Sequence, residues 1–127
     1  RTKKQAKYTG IAGSSMGGLI SYYAGLWYPK QFGKIGVFSP SFWISPGLVN
    51  LTKETLHKRR HANQQYYFYA GKKESPQMVS DMEKMISTLQ PILPKESIIK
   101  RVSPIGEHNE ASWRSELPNY LRWNVRM

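Results

Sequence analysis

Strand-like and helix-like hydrophobic patterns alternate along the whole chain, and this alternation limits the possible folds more than any other feature. Short apolar runs bounded by Gly or Pro are typical of strands, and each of them is followed by apolar residues at helical spacing. The predicted strands are residues 8–12, 35–39, 66–70 and 98–102. The order βαβαβαβα predicts the α/β fold class: about four strands in a parallel sheet with helices on both faces.

The helices are predicted from apolar spacing and from residues that favour helix ends. Segment 19–28 is apolar nearly all round and ends before Pro29, as expected for a largely buried helix. Thr52 is expected to cap a helix over 52–60, after a loop over 41–51. Ser75 and Pro76 are expected to begin the next helix. That helix carries an apolar stripe that predicts core packing: Met78, Met82, Met85, Ile86 and Leu89.

The last helix is predicted over residues 111–125, with Pro118 as the site of a kink or a break. Its spacing places several side chains together on one side. These are Trp113, Leu117, Tyr120, Leu121 and Asn124.

The 127 residues contain no cysteine, which excludes a disulfide framework, a thiolate zinc site and a cysteine nucleophile. No apolar run approaches the roughly 18 residues of a membrane span, so a soluble protein without a membrane span is predicted. Whether it is cytoplasmic or exported is left open.

The net charge of +11 raises the alternative of a domain that binds nucleic acid or another polyanion. The basic residues include the run 57–61 and the opening Arg1, Lys3, Lys4 and Lys7. They are spread over several elements, however, and no recognised nucleic-acid motif is present. Nucleic acid is therefore not the expected partner.

The segment Gly13-Ser14-Ser15-Met16-Gly17 lies between a predicted strand and an apolar helix. A G-x-S-x-G pattern in this context is typical of a nucleophile on a sharp, strained turn, with Gly at both ends to relieve backbone crowding. We therefore predict that Ser15 is a nucleophile and that the backbone N–H of Met16 stabilises an oxyanion. No Lys follows for a phosphate-binding loop, and Gly10 and Gly13 have the wrong spacing for a dinucleotide site. No cofactor or metal is expected.

A serine nucleophile needs a base, and the base usually needs an acid that orients it. When the serine lies on a strand-to-helix turn, the catalytic residues follow one another along the chain in the order Ser, acid, His. His108 follows the fourth predicted strand and therefore has the position expected for the base. Asp81 lies well inside a helix, which argues against it as the acid. Glu107 is adjacent to His108 in sequence, and adjacent side chains seldom meet in the geometry that the pair needs. Glu74, just after the third strand, is therefore the candidate acid.

Phe42 and Trp43 follow the second predicted strand, which is next to the strand before Ser15. Two roles are open for these aromatic side chains. They line the substrate pocket beside Ser15, or they pack in the core.

Several segments together resemble the putative esterase family of α/β-hydrolases, which includes siderophore esterases, esterase D, and feruloyl and acetyl-xylan esterases. The resemblance covers nearly the whole chain. The matching segments are 9–18, 28–29, 32–35, 39–43, 69–74 and 106–114.

The resemblance implies a Ser-His-acid triad of Ser15, His108 and Glu74, with Met16 as an oxyanion donor. Some members of the family use Ser and His alone, which leaves the role of Glu74 open. The implied substrate is a small-molecule or carbohydrate-linked ester. Hydrolysis and acyl transfer to another alcohol use the same residues, and a non-catalytic scaffold is a further alternative.

The resemblance also implies a larger fold, because the α/β-hydrolase sheet has about eight strands and its nucleophile follows the fifth. Residues 1–127 are therefore expected to be a single partial domain, the second half of that fold, without its amino-terminal half. We expect this chain alone to be weakly active or inactive. An open sheet edge at residues 8–12 is expected to favour self-association.

Overall fold

The computed structural model describes residues 3–59 and 63–126, and over these residues the strands and helices alternate. Three short 3₁₀ helices, Ala6–Tyr8, Phe42–Ile44 and Lys95–Ser97, lie between the longer elements. The longer elements are β1 (Gly10–Ser14), α1 (Met16–Trp27), β2 (Lys34–Phe38), α2 (Leu48–Lys58), β3 (Gln65–Gly71), α3 (Met78–Leu89), β4 (Ile98–Ser103) and α4 (Glu110–Asn124).

The four strands form one parallel sheet in the order β1-β2-β3-β4, which confirms the predicted architecture. The register pairs Ser14 with Phe38, Phe38 with Tyr69, and Tyr69 with Arg101. The carboxyl ends of all four strands therefore lie at one edge of the sheet. Every loop that follows a strand begins at that edge, where ligand sites form in parallel sheets.

Helices α1, α2 and α3 share one hydrophobic core with the first face of the sheet. All five residues of the predicted apolar stripe on α3 are buried in it, so the core prediction for that stripe is confirmed. Tyr22 of α1 is fully buried among them, and its hydroxyl lies 2.7 Å from Oγ1 of Thr52 in α2. Burial raises the pKa of Tyr22, and the hydrogen bond satisfies its hydroxyl.

Helix α4 covers the opposite face through a second, aromatic core. The members of this core are Phe38, Tyr67, Tyr69 and Tyr120, with Ile99, Trp113 and Trp123 packed against them. Tyr120 lies so close to the sheet that a Cβ on Gly36 would be 2.5 Å from its ring. Nζ of Lys34 donates to backbone carbonyls at the end of α4, including that of Asn124 at 2.6 Å. These contacts fix α4 across this face of the sheet, with its carboxyl-terminal end at the amino end of β2.

The boundaries of the first half differ from the predictions. The first strand begins at Gly10, because residues 6–8 form a 3₁₀ helix, and α1 begins at Met16 directly after the turn. Helix α2 begins at Leu48, so the predicted loop over 41–51 is too long. Thr52 is not a helix cap but a buried residue of α2, held by its bond to Tyr22. The predicted end of this helix at residue 60 lies outside the described residues.

The predicted start of the helix after β3 is also wrong. Helix α3 begins at Met78, because Ser75 and Pro76 belong to a turn in which the Met78 N–H bonds to the Ser75 carbonyl. On α4, Leu117 and Leu121 are exposed. The buried residues of α4 are Tyr120 and Glu116. The Glu116 carboxylate accepts hydrogen bonds from the Tyr67 hydroxyl and from Nε of Arg101. The helix continues through Pro118 without a break.

Strand β1 is an edge strand that pairs with β2 alone among the described residues. Gly10 and Ala12 are exposed there, whereas all of β2 is buried. Several large apolar side chains are also exposed on α1 and on α4. They are Met16, Ile20, Trp27, Leu117 and Leu121. Within the described ranges, each helix is too short or too polar to cross a lipid bilayer.

Candidate active site

Ser15 occupies a strained turn between β1 and α1. Its backbone has φ 59° and ψ −121°, a sparsely populated conformation that costs about 1–3 kcal/mol. The Ser15 N–H donates to the Phe38 carbonyl at 2.9 Å, which ties the turn to β2. A Cβ on Gly13 would lie 2.4 Å from the Gly17 carbonyl oxygen, so glycine is required at position 13. The same expectation for Gly17 is wrong, because a Cβ there would meet no atom within 4 Å.

The Ser15 hydroxyl contacts His108, which lies in the loop between β4 and α4. Nε2 of His108 is 2.8 Å from Oγ of Ser15. The loop is held by the start of α4: Oδ1 of Asn109 accepts from the Ser112 N–H at 2.9 Å, and the Ser112 hydroxyl accepts from the Glu107 N–H at 2.9 Å. The histidine is therefore positioned by the capping of the helix that follows it.

Glu74 contacts the other ring nitrogen of His108. Its Oε1 lies 2.6 Å from Nδ1, and its side chain is completely buried. Oε2 accepts two further hydrogen bonds at 2.7 Å, from the Gly71 N–H and from the Ser39 hydroxyl. A buried carboxylate needs such partners. Because a carboxylate only accepts, Nδ1 carries the proton, and Nε2 of the neutral imidazole accepts from Ser15.

A close backbone approach brings the loops of Glu74 and His108 together. A Cβ on Gly71 would lie 2.2 Å from the carbonyl oxygen of Gly106, so both residues meet without side chains. The Lys73 N–H donates to the same carbonyl at 3.0 Å, and the Lys72 N–H donates to the Ser103 carbonyl at 2.8 Å. The loop after β3 is therefore bonded directly to the loop after β4.

Met16 is the first residue of α1, so its N–H has no acceptor within that helix. The helix N-terminus carries a partial positive charge and lies directly beside Ser15. The backbone of Met16 is thus adjacent to the point where an oxyanion would form. Its side chain is exposed.

The structure separates the two aromatic candidates for substrate binding. Phe42 is buried and packs edge-on against Tyr22, with 5.4 Å between the ring centroids, which favours the core role for this residue. Trp43 is half exposed on the same short helix. Ser41, just before them, is buried, and its hydroxyl lies 3.4 Å from that of Ser15.

The sequence did not predict a place in the site for three further residues, which are Ser39, Ser41 and Trp113. Ser39 bonds to Glu74, and the indole N–H of Trp113 donates to the Ser39 hydroxyl at 2.9 Å. The available signal was the position of Ser39 and Ser41 immediately after β2. That places them at the same carboxyl edge as Ser15, Glu74 and His108.

One group of basic residues lies at the opposite edge of the sheet from Ser15. Lys3, Lys4, Lys7, Lys30 and Lys34 line a cavity of about 840 Å³ beside Thr9 and Gly10, at the amino end of β1. Arg1, Arg60 and His61 lie outside the described residues. No group of three or more His, Asp or Glu side chains in the described ranges is arranged to hold a metal ion.

The fold and the turn at Ser15 define the class of protein. A parallel sheet covered by helices on both faces, with a serine on a strained strand-to-helix turn at its carboxyl edge, is the architecture of an α/β-hydrolase. The chain belongs to the putative esterase family, whose model matches residues 1–124.

Solved structures agree with this assignment. The enterobactin esterase FES from Shigella flexneri, solved in the presence of enterobactin, is 31% identical with a TM-score of 0.81, over 96% of this chain and 31% of its own. The S-formylglutathione hydrolase FrmB from Staphylococcus aureus has the same fold, with a TM-score of 0.77 at 20% identity over 98% of this chain and 53% of its own.

A curated relative, the protein YbbA of Bacillus subtilis (strain 168), is 43% identical over 54 residues, which are 42% of this chain and 20% of YbbA. The chain therefore spans about a fifth of YbbA and less than a third of the Shigella esterase.

Proposed function

We propose that Ser15, His108 and Glu74 form the catalytic triad of a carboxylic ester hydrolase. The observation that carries the proposal is the unbroken series of two hydrogen bonds, 2.8 Å from Ser15 to His108 and 2.6 Å from His108 to Glu74. The strained backbone at Ser15 and the burial of Glu74 support it, because strain and desolvation concentrate at reactive sites.

The acylation step follows from this geometry. Oγ of Ser15 attacks the ester carbonyl carbon while Nε2 of His108 takes its proton. The negative charge that develops on the carbonyl oxygen is stabilised by the Met16 N–H and by the N-terminus of α1. When the C–O bond of the ester breaks, the imidazolium returns the proton to the leaving alcohol. Glu74 stays ionised and stabilises the imidazolium.

The deacylation step uses the same residues in reverse. His108 takes a proton from water as the water oxygen attacks the acyl group on Ser15. The proton then returns to Oγ of Ser15, and the carboxylic acid leaves. An alcohol in place of water would give acyl transfer, so the residues serve both reactions. A product analysis with and without an added acceptor alcohol separates the two.

The proposed substrate is a small-molecule or carbohydrate-linked ester. Among the relatives, the Shigella esterase was solved with enterobactin, and esters of that kind are the first compounds to test. Trp43, half exposed just after β2, is the proposed aromatic wall of the substrate pocket. Phe42 is expected to contribute indirectly, because it is buried in the core on the same short helix as Trp43.

We also propose that the active enzyme contains more of the sheet than these four strands. Strand β1 carries the nucleophile turn but pairs on one side only in the described part of the chain. Much of each relative's chain lies outside the matched part. A second sheet segment along β1 would close this edge and supply another N–H to the oxyanion.

The experiment is a labelling and activity assay on the protein encoded by the complete open reading frame. A fluorophosphonate probe should label Ser15, and the protein should hydrolyse p-nitrophenyl acetate and enterobactin. Loss of both signals in Ser15→Ala supports the proposal. Absence of labelling and turnover in the intact protein would instead favour a non-catalytic scaffold.

Polyanion binding is the second candidate, and the lysine-lined cavity at the amino end of β1 favours it. Those side chains would contact phosphates, and binding would weaken steeply with salt. A fluorescence titration with a DNA duplex at several salt concentrations tests it. No binding at low salt rejects this function and leaves the esterase proposal intact.

A further inference from the structure

Ser39 has a backbone conformation that its residue type does not favour. It follows β2 with φ 46°, in the left-handed region, and is completely buried. Its N–H donates to the Tyr69 carbonyl at 2.7 Å, which holds the strained backbone in place. Glycine would adopt this φ without strain, whereas an L-residue loses about 1–2 kcal/mol. A serine at this strained position therefore indicates that its side chain has a role in the site.

The hydrogen bonds of the Ser39 hydroxyl leave only one direction for its proton. The indole N–H of Trp113 is a donor only, and it donates to Oγ of Ser39 at 2.9 Å. Oε2 of Glu74, 2.7 Å from the same oxygen, can only accept. The Ser39 proton is consequently directed at the carboxylate.

The same two bonds orient the carboxylate toward the histidine. Oε2 of Glu74 is occupied by the Ser39 hydroxyl and the Gly71 N–H, both at 2.7 Å, so Oε1 is the oxygen that faces His108. The Trp113 ring also stands edge-on to the imidazole, with 5.0 Å between centroids. Trp113 therefore contacts His108 directly and is linked to Glu74 through the Ser39 hydroxyl.

We propose that Ser39 is a positioning residue, whose hydroxyl holds Glu74 in the orientation that His108 needs. The inference rests on the proposed triad and extends it by a hydrogen-bonded series that runs from Trp113 through Ser39, Glu74 and His108 to Ser15. Ser39 touches no reacting atom. It acts through the carboxylate. The role of its hydroxyl explains why a serine, and not a glycine, occupies this strained position.

The test is Ser39→Gly in the protein from the complete open reading frame. Glycine removes the hydroxyl and relieves the backbone at once, so the relieved strain offsets part of the stability lost with the two hydrogen bonds, and the variant should still fold. The expected result is a fall in kcat of roughly 10- to 100-fold, the size of a lost hydrogen bond to a charged group, with KM unchanged. Unchanged kcat in a folded Ser39→Gly protein overturns the inference. Ser97→Ala, a buried serine outside the site, is the matched control and should keep full activity.

A double-mutant cycle shows whether Ser39 acts through Glu74. If it does, Ser39→Gly should have little further effect on kcat in a Glu74→Gln background, whereas independent effects would multiply. Multiplying effects overturn the inference. Ser15→Ala in the same assay separates the two proposals: full turnover without Ser15 rejects the triad, whereas lost turnover with an unaffected Ser39→Gly rejects the positioning role alone.

Discussion

Oε1 of Glu74 lies 2.6 Å from Nδ1 of His108, although the two residues are 34 positions apart and follow different strands. The contact depends on the parallel pairing of β3 and β4, which places both loops at the same edge of the sheet. It depends equally on Gly71 and Gly106, whose backbones touch where any side chain would separate the loops. Two glycines without chemistry of their own thus set the distance between acid and base.

Replacing the proposed nucleophile should abolish the reaction. In the protein from the complete open reading frame, Ser15→Ala should lose fluorophosphonate labelling and ester hydrolysis together, because no oxygen remains at the turn. Ser14→Ala is the matched control, since Ser14 is the neighbouring hydroxyl in the same segment and has no contact with His108 among the hydrogen bonds of the site. Turnover in Ser15→Ala equal to that of the wild type would show that the nucleophile lies elsewhere.

His108 and Glu74 should differ in the size of their effects. His108→Ala should lower kcat by several orders of magnitude, because the base that takes the serine proton is gone. Glu74→Gln should lower it less, since the acid orients the ring and stabilises the imidazolium without taking the proton. Steady-state kinetics of both variants measure this. A loss of about tenfold or less in Glu74→Gln indicates a Ser-His dyad, and full activity of His108→Ala rejects the site.

The two glycines of the nucleophile turn should respond oppositely to alanine. Gly13→Ala should distort the turn, because its Cβ would lie 2.4 Å from a carbonyl oxygen; we expect a loss of activity and a free energy of unfolding lower by about 1–3 kcal/mol. Gly17→Ala has open space and should fold as well as the wild type or better, since alanine favours helices. Thermal unfolding and activity assays compare the pair. Equal tolerance at both positions would contradict the crowded turn.

The approach of the acid and base loops should be equally sensitive. Gly71→Ala places a Cβ 2.2 Å from the Gly106 carbonyl oxygen and should push the two loops apart, which lowers kcat by lengthening the Glu74–His108 bond. Gly47→Ala is the control, because a Cβ there meets no atom within 4 Å. NMR of the His108 ring protons reports the bond. An unshifted Nδ1 proton signal in Gly71→Ala would show that the loops do not depend on this contact.

The edge at β1 should make the 127-residue chain self-associate when it is produced alone. An exposed strand edge pairs readily with another chain, and a Lys side chain on it opposes such pairing. We expect Ala12→Lys to lower the mass measured by light scattering, whereas Ile105→Lys, an exposed apolar residue away from β1, should not.

The catalytic consequence of the same edge is testable in parallel. With one oxyanion donor lacking, the chain alone should be roughly 100- to 1,000-fold less active on an aryl ester than a version extended along β1. A monodisperse monomer with activity equal to that of the extended version would show that these residues form a complete minimal hydrolase.

Local patterns in the sequence were sufficient to predict the order of the elements and the residues that begin the loops. The alternation of periods predicted the parallel sheet, and the helical stripe from Met78 to Leu89 predicted the core. Both depend on side-chain spacing within one element. The candidates Ser15, His108 and Glu74 were likewise found from their places after strands, without knowledge of any distance between them.

Only the tertiary structure decided which side chains meet. Thr52 and Ser75 resemble helix caps in sequence, but burial against Tyr22 and a turn before α3 give them other roles. In the sequence, Ser39 is an ordinary residue at the end of a strand. In the structure, the indole of Trp113, 74 residues further along the chain, donates to its hydroxyl. Such contacts depend on strand register and on the packing of α4 across the sheet. They arise from residues distant in sequence, and local hydrophobic patterns carry no information about them.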